Sequence, residues 1–290
     1  MKITLPDNSS RELPEGSSGY DLAKDIGPGL AKSAVAVTID GVQKDLHDEI
    51  MTDSSVSIIT IDSDEGLEIM RHTLTAQVLA RAIKNLYPKS KLAIGPTIED
   101  GFYYDVESEE VISSDDLNKI EEEMKKIIKS KSSITKKLVS KSEAMKVFKS
   151  NKEPYKEIII NESDQDDNFQ LYYQEDEKFV DLCRGPHLPN LGFIGSFKLT
   201  KVSGAYWKGD SNNSMLTRIY GTAFNSEKDL QQHLDNLEEA LKRDHRKLGK
   251  EMDLFHFQDE APGMVFWHPY GWNIYKTLQS FIRNKLDKNG

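Results

Sequence analysis

Apolar residues recur along this chain with two different periods, and the changes between them mark out its elements. Over the first sixty residues the period is mostly two. Lys2–Leu5 and Glu12–Leu13 read as short strands split by the turn Pro6-Asp7-Asn8, and Val35–Ile39 is a β-branched run. Asp40-Gly41, between that run and Val42–Leu46, is a two-residue hairpin signal, because a type I′ turn needs positive φ at both central positions. Val56–Ile61 adds a strand, and a helical stretch near Tyr20–Ile26 ends at Gly27, read as a helix C′ residue. Strands wrapped on one helix predict a small β-grasp unit over residues 1–62.

The period then lengthens. Leu67, Met70, Leu74, Val78, Leu79 and Ala82 recur at three and four positions, which predicts an amphipathic helix over 65–86 stopping at Tyr87-Pro88. Leu92–Ile94 and Gly101–Asp105 read as strands about the turn Gly95-Pro96. Ser113 or Ser114 can cap a helix over Asp116–Lys129, and Ser142–Lys149 is a further short helix. Tyr155–Ile160, Phe169–Tyr173 and Lys178–Asp181 alternate like strands. Residues 63–224 are therefore expected to form a mixed α+β domain. Ser226-Glu-Lys-Asp229 is a capping box opening a long polar helix to about Met252, a rigid connector over 225–252. A turn and strand at Ala261–His268 and an amphipathic helix at Gly271–Leu286 begin a third unit over 253–290. The predicted class is α+β and multidomain.

Composition narrows the setting. A single cysteine in 290 residues forms no internal disulfide, which suits a reducing cytoplasm. No apolar run approaches the roughly 20 residues of a membrane helix, and Met1-Lys-Ile-Thr-Leu-Pro lacks a signal-peptide core, so no membrane partner is expected. The net charge of −10 argues against nucleic acid, but its distribution does not: residues 125–152 carry ten lysines against the one acid Glu143. Lys136, Lys137 and Lys141 in this stretch are candidate phosphate contacts, the alternative being a solvated helix face.

Candidate chemistry gathers in Val180-Asp-Leu-Cys-Arg-Gly-Pro-His187. Asp181, Cys183 and His187 are side chains used for proton transfer, nucleophilic attack or metal ligation. Just beyond, Gly204–Asn213 is rich in turn formers and large aromatics. Tyr206 and Trp207, near Lys208 and Arg218, are either core or a stacking platform for a terminal base. No Gly-x-x-x-x-Gly-Lys-Ser/Thr loop occurs, which excludes a P-loop nucleotide triphosphatase.

Seven stretches carry a resemblance: Ala93-Ile-Gly-Pro96, Gly101-Phe-Tyr-Tyr-Asp105, Cys183-Arg-Gly-Pro-His187, Gly204–Asn213, Arg218-Ile-Tyr-Gly-Thr222, Arg243-Asp-His-Arg-Lys247 and Glu260-Ala-Pro-Gly-Met264. In this order and spacing the chain resembles bacterial threonyl-tRNA synthetases over essentially its whole length. The resemblance implies a TGS domain (1–62), an editing domain (63–224), a connector helix (225–252) and the start of a class II aminoacylation domain (253–290). It implies tRNA(Thr), including mischarged seryl-tRNA(Thr), as partner. The ATP- and magnesium-dependent core, its single zinc and the homodimer interface would lie beyond residue 290. No cofactor is then expected in this segment, and the piece is expected to be a monomer.

The resemblance also implies a site. The family builds its editing site from a helix bearing His-x-x-x-His, a lysine, an aspartate, a tyrosine and the Cys-x-x-x-His segment. Here that gives His72, Lys156, Asp181 and His187 as catalytic residues. Gln77, Tyr104 and Cys183 become pocket residues, and Lys136, Lys137, Lys141, Tyr206, Trp207, Lys208 and Arg218 tRNA contacts. One departure stands out. After His72, Ala76 occupies i+4 and Gln77 i+5, as if the helix had gained one residue and exchanged its second histidine. Such a shift is expected to turn His72 by about 100° around the helix, and glutamine cannot take a proton near neutral pH. His72, Cys183 and His187 are zinc-competent types, but with Gln77 as a poor fourth ligand no metal is expected. Two further readings stay open: a tRNA-binding module with silenced editing, and a freestanding hydrolase that edits in trans.

Overall fold

The computed structural model describes residues 1–174 and 179–290, in two compact units, Met1–Leu230 and Gln231–Gly290. The class is the expected one, α+β with several sheets.

The first unit opens with a five-stranded sheet in the order Ser10–Glu12, Lys2–Thr4, Ser54–Thr60, Ala34–Ile39, Val42–Asp45. Lys2–Thr4 runs parallel to Ser54–Thr60 and the other neighbours are antiparallel. Asp40 (φ 49°) and Gly41 (φ 82°) both take positive φ, the turn that their dipeptide predicts. Helix Gly19–Ile26 starts on a complete capping box, Ser18 with Asp21, and sets Leu22 among Ile3, Val37, Ile50 and Val56. Gly27 does not end it in a left-handed turn. Its φ of 169° is extended, and Pro28 opens a second helix, Pro28–Ser33, at once.

A second five-stranded sheet follows the path Ser196–Tyr206, Met215–Phe224, Gly101–Glu107, Lys91–Leu92, with Thr97–Ile98 also paired to Gly101–Glu107. The long hairpin of Ser196–Tyr206 and Met215–Phe224 lies where the turn-rich stretch drew attention away from its flanks. Against this sheet pack the helical run from Asp64 to Leu86 and helix Leu117–Lys129, around Met70, Leu74, Leu79, Ile83, Phe102 and Met124. A third sheet of Val180–Leu182, Phe169–Gln174 and Ile134–Val139 packs its own small core with Phe148 and Ile160. Part of the strand expected at Lys178–Asp181, namely Lys178, lies outside the described residues.

Two elements differ from the sequence reading in ways that bear on chemistry. Tyr155–Ile160 is not a strand but part of helix Pro154–Glu162. Proline supplies the pre-set first turn, and the buried positions Tyr155, Lys156 and Ile160 follow a helical period. The run Asp64–Leu86 is not a plain α-helix. It is α over Asp64–Thr73, π over Leu74–Leu79 and α again over Ala80–Leu86.

The connector expected as one helix to Met252 is two. Glu227–Lys242 stops before Asp244, whose side chain caps His245–Glu251. Ser226 Oγ accepts the Asp229 N–H at 3.2 Å and donates to Asp229 Oδ2 at 2.6 Å, the side-chain cap of the predicted box. Strands Phe255–His256 and Phe266–Trp267 pair, and helix Pro269–Asn289 carries exposed Trp272, Tyr275, Leu278 and Ile282.

Candidate active site

The π-turn decides where His72 points. Five residues on from His72, Gln77 would lie about 140° round a regular α-helix. Widening one turn to i→i+5 bonding absorbs the extra residue, so the flanking turns keep their faces. The expected rotation of His72 out of the site does not occur. A widened turn leaves backbone groups without ladder partners, and here the Gln77 carbonyl accepts from Gln174 Nε2 at 2.6 Å. Arg81 holds Gln174 in turn, with Nη1 at 2.5 Å from its Oε1. Gln77 itself is fully buried and does not line the cleft.

His72 Nε2 stands 2.8 Å from Cys183 Sγ, and its ring stacks on that of His187 at 4.6 Å between centroids and 11° between planes. Thr73, the next residue on the helix, accepts from the Leu188 N–H and meets His187 Nδ1 at 3.1 Å. Among the described residues, His187 Nε2 is buried without a hydrogen-bond partner. The segment Cys183–His187 leaves strand Val180–Leu182 through Gly185 (φ 65°) and a cis bond to Pro186. A Cβ on Gly185 would lie 2.0 Å from the Tyr172 hydroxyl, so only glycine fits there.

A buried ion pair faces this cluster across the cleft. Lys156 Nζ is 2.5 Å from Asp181 Oδ1, with side chains 4% and 2% exposed. Asp181 also accepts from the Leu182 N–H at 2.8 Å and from the Tyr104 hydroxyl at 3.4 Å. Burial raises the Asp181 pKa, against the pull of Lys156. Burial likewise holds Tyr104 well above the usual phenol range, so it stays a neutral donor. The His72 pKa is lowered, burial outweighing the attraction of Asp181, Glu68 and Asp45. At neutral pH its imidazole is therefore uncharged and able to take a proton. His72, Lys156, Asp181 and Cys183 all line one cleft of about 820 Å³, with Ala76, Gly95 and Arg184.

His72, Cys183 and His187 place ligand atoms within 4.8 Å of one another, a set able to hold a metal ion. Two ligands on a tetrahedral zinc stand about 3.6 Å apart. The direct contact of 2.8 Å between His72 and Cys183 fits a thiol–imidazole hydrogen bond and would have to open to admit an ion.

Comparison of the chain with known proteins finds similar sequences. The TGS domain family matches residues 1–60, and the threonyl and alanyl tRNA synthetase second additional domain matches residues 170–220. A threonine–tRNA ligase of Saccharophagus degradans is 51% identical over 288 residues, 99% of this chain and 45% of that protein. Those of Prochlorococcus marinus (49% over 287 residues, 99% of this chain and 44% of that protein) and Legionella pneumophila (51% over 284 residues, 98% and 44%) are similar in the same way. The chain matches the N-terminal part of threonine–tRNA ligases. It spans less than half the length of these curated relatives.

Within that ligase framework the expected tRNA contacts divide. Strand alternation sends Lys136 and Lys137 to opposite faces of Ile134–Val139. Lys136 points inward, with Nζ 2.9 Å from Asp45 and 2.5 Å from Asp48. Burial opposes its charge, yet the two carboxylates raise its pKa. It is committed to the protein interior and is not available to a phosphate. Lys137 is exposed, over the Tyr173 ring at 4.6 Å, and Lys141 donates to the Ser163 carbonyl at 2.8 Å. Trp207 is core, packed against Tyr155. Arg218 grips Asp105 with two bonds of 2.7 and 2.8 Å and lies over the Tyr103 ring, which is framework too. Tyr206 is exposed, and Lys208 pairs at 2.5 Å with Glu162, a residue of the cleft wall.

Three residues at the site were not singled out from the sequence. Thr73 carried no signal, since a helical threonine is commonplace. Arg184, exposed on the cleft, sits inside the Cys-x-x-x-His motif and could have been read from it. Asp45 belongs to the N-terminal sheet, and only the fold brings it to His187.

Proposed function

We propose that this chain hydrolyses the ester joining a small amino acid to the 3′ end of a tRNA, with seryl-tRNA(Thr) as substrate. The carrying observation is the meeting of a neutral, half-buried His72 and the Lys156–Asp181 pair on one cleft, despite the extra residue in the His72 helix. Serine lacks one methyl of threonine, and a single binding pocket separates such a pair by only about 10–200-fold. A second, hydrolytic test of the product supplies the remainder.

Each residue then has a task. Water adds to the ester carbonyl carbon while His72 takes its proton at Nδ1, the ring nitrogen not engaged by Cys183 when Nε2–H donates to the sulfur. The negative charge that gathers on the carbonyl oxygen faces the Lys156 ammonium. The bond to the ribose oxygen breaks, and that oxygen receives the proton held on His72, leaving serine and tRNA with a free hydroxyl. Asp181 is an orienter in this scheme. Lys156, Tyr104 and its own backbone occupy its oxygens, which leaves it poorly placed to hold the substrate amine. His187 buttresses the His72 ring, and Cys183 anchors His72 through its thiol instead of serving as a mere wall. Arg184 on the cleft and Lys208, paired with the cleft-wall residue Glu162, suit the phosphates of the tRNA end, and exposed Tyr206 suits its terminal base.

In this reading ATP-dependent ligation of threonine, with its magnesium and single zinc, belongs to other parts of a complete, homodimeric cytoplasmic ligase. Among the described residues no helix is long and apolar enough to cross a membrane. A direct test is binding of an adenosine that carries serine through a 3′-amide in place of the ester. Calorimetry should show saturable binding that is lost in Lys156→Met, and much weaker binding of the threonine analogue. Equal binding of both analogues would remove the serine assignment.

A further inference from the structure

The Tyr172 hydroxyl and the backbone N–H of His187 both reach out of the three-stranded sheet region to one carboxylate of the N-terminal domain. We propose that Asp45, at the end of strand Val42–Asp45, is a positioning residue for the hydrolytic site, acting through His187. This rests on the editing function proposed above.

The geometry is specific. Asp45 Oδ1 accepts the His187 N–H at 2.8 Å. Its Oδ2 accepts the Tyr172 hydroxyl at 2.8 Å and pairs with Lys136 Nζ at 2.9 Å. The Tyr172 ring in turn meets the His187 ring edge-on, 4.4 Å between centroids, and His187 stacks on His72. Asp45 is thus in direct contact with both the backbone of His187 and the side chain that walls its ring, while its own side chain is only 15% exposed. Thr73 holds the segment from the helix side, through His187 Nδ1 and the Leu188 N–H, and Asp45 holds it from the N-terminal domain. Gly185 has no side chain, and its left-handed φ makes the turn toward Asp45 possible. A carboxylate accepting charge-assisted bonds from three donors is a firm anchor. The N-terminal domain then acts as part of the scaffold of the site, and a change there reaches the chemistry without touching the substrate.

Asp48 provides an internal control. It pairs with the same Lys136 at 2.5 Å and accepts the Asp45 backbone N–H at 3.2 Å, but none of its bonds goes to His187 or Tyr172 among the described residues. A role limited to holding the two domains together predicts the same behaviour from Asp45→Ala and Asp48→Ala. Positioning predicts a split. In the full chain, Asp45→Ala should lower kcat for seryl-tRNA(Thr) by about 10–100-fold with KM little changed, as expected for displacement of a supporting group by about 1 Å. Asp48→Ala should stay near wild type. Asp45→Asn, which keeps one carbonyl oxygen for the His187 N–H, should recover part of the loss. Hydrogen exchange gives a readout independent of activity. The His187 amide should be protected in wild type and Asp48→Ala, and lose protection in Asp45→Ala. If wild type fails to deacylate while the amide still responds to Asp45 alone, the functional reading fails and the positioning contact stands. Equal protection and equal kcat in the two alanine variants would overturn the proposal.

Discussion

Replacing Lys156 by methionine isolates the interaction on which the site depends. Lys156 and Asp181 are 4% and 2% exposed and 2.5 Å apart, so water cannot replace the lost ammonium. Removing one partner of such a buried pair costs about 3–5 kcal/mol, because the other charge is left uncompensated. For the unit Met1–Leu230, at about 2–4 °C per kcal/mol for a domain of that size, Tm should fall by about 6–20 °C at pH 8. The sign of the pH dependence follows from Asp181. Its pKa is already raised by burial, and without Lys156 it rises further. A carboxyl with a folded-state pKa above its unfolded value binds its proton more readily when folded. The loss should therefore be largest above that pKa and shrink as pH falls through it. The double variant Lys156→Met/Asp181→Asn, which removes both charges, should regain most of the Tm while remaining inactive. Thermal unfolding followed by circular dichroism at pH 5 and pH 8 checks all three variants. A pH-independent loss, or a double variant no more stable than the single one, would refute the reasoning.

Three further outcomes follow from the same geometry. The acid limb of deacylation should lie below pH 6.5, since burial lowers the His72 pKa from 6.5 and its neutral form is the one that accepts a proton; a limb above 6.5 in the pH–rate profile would show another group to be the base. Deleting Ala76 should turn the π-turn into plain α-helix and leave His72 facing Cys183, so helicity and deacylation survive, whereas loss of both would mean the widened turn is itself required. Lys137→Glu and Lys208→Glu should each reduce the salt dependence of tRNA binding, by about 0.7–0.9 in log–log slope per lost phosphate contact, whereas Lys136→Glu should act on Tm; a binding titration over salt concentration separates the two.

How far the sequence could be read depended on whether a signal was local. Asp40-Gly41 and the Ser226 cap state their geometry within four residues: the turn takes the two positive φ angles expected, and Ser226 Oγ caps the Asp229 N–H. Pro154 was also a local signal, for a helix start, but the alternating look of Tyr155–Ile160 outweighed it, and Lys156 was placed on the wrong kind of element. The lysine run misled for a physical reason. Charge density along a chain does not say which way a strand turns each side chain, and Lys136 turned inward to two aspartates. The extra residue before Gln77 was visible, yet its consequence was not. Whether a helix rotates or widens depends on who satisfies the freed carbonyl, and that partner, Gln174, lies on another sheet. Asp45 is the extreme case, since 142 residues separate it from His187 in the chain.

Single-turnover deacylation of seryl-tRNA(Thr) and threonyl-tRNA(Thr) by this chain, beside its His187→Ala variant, tests the central claim most directly. The predicted result is rapid loss of the seryl ester alone, abolished in the variant. An intact seryl ester in the presence of bound tRNA would contradict it and make the chain a binding module.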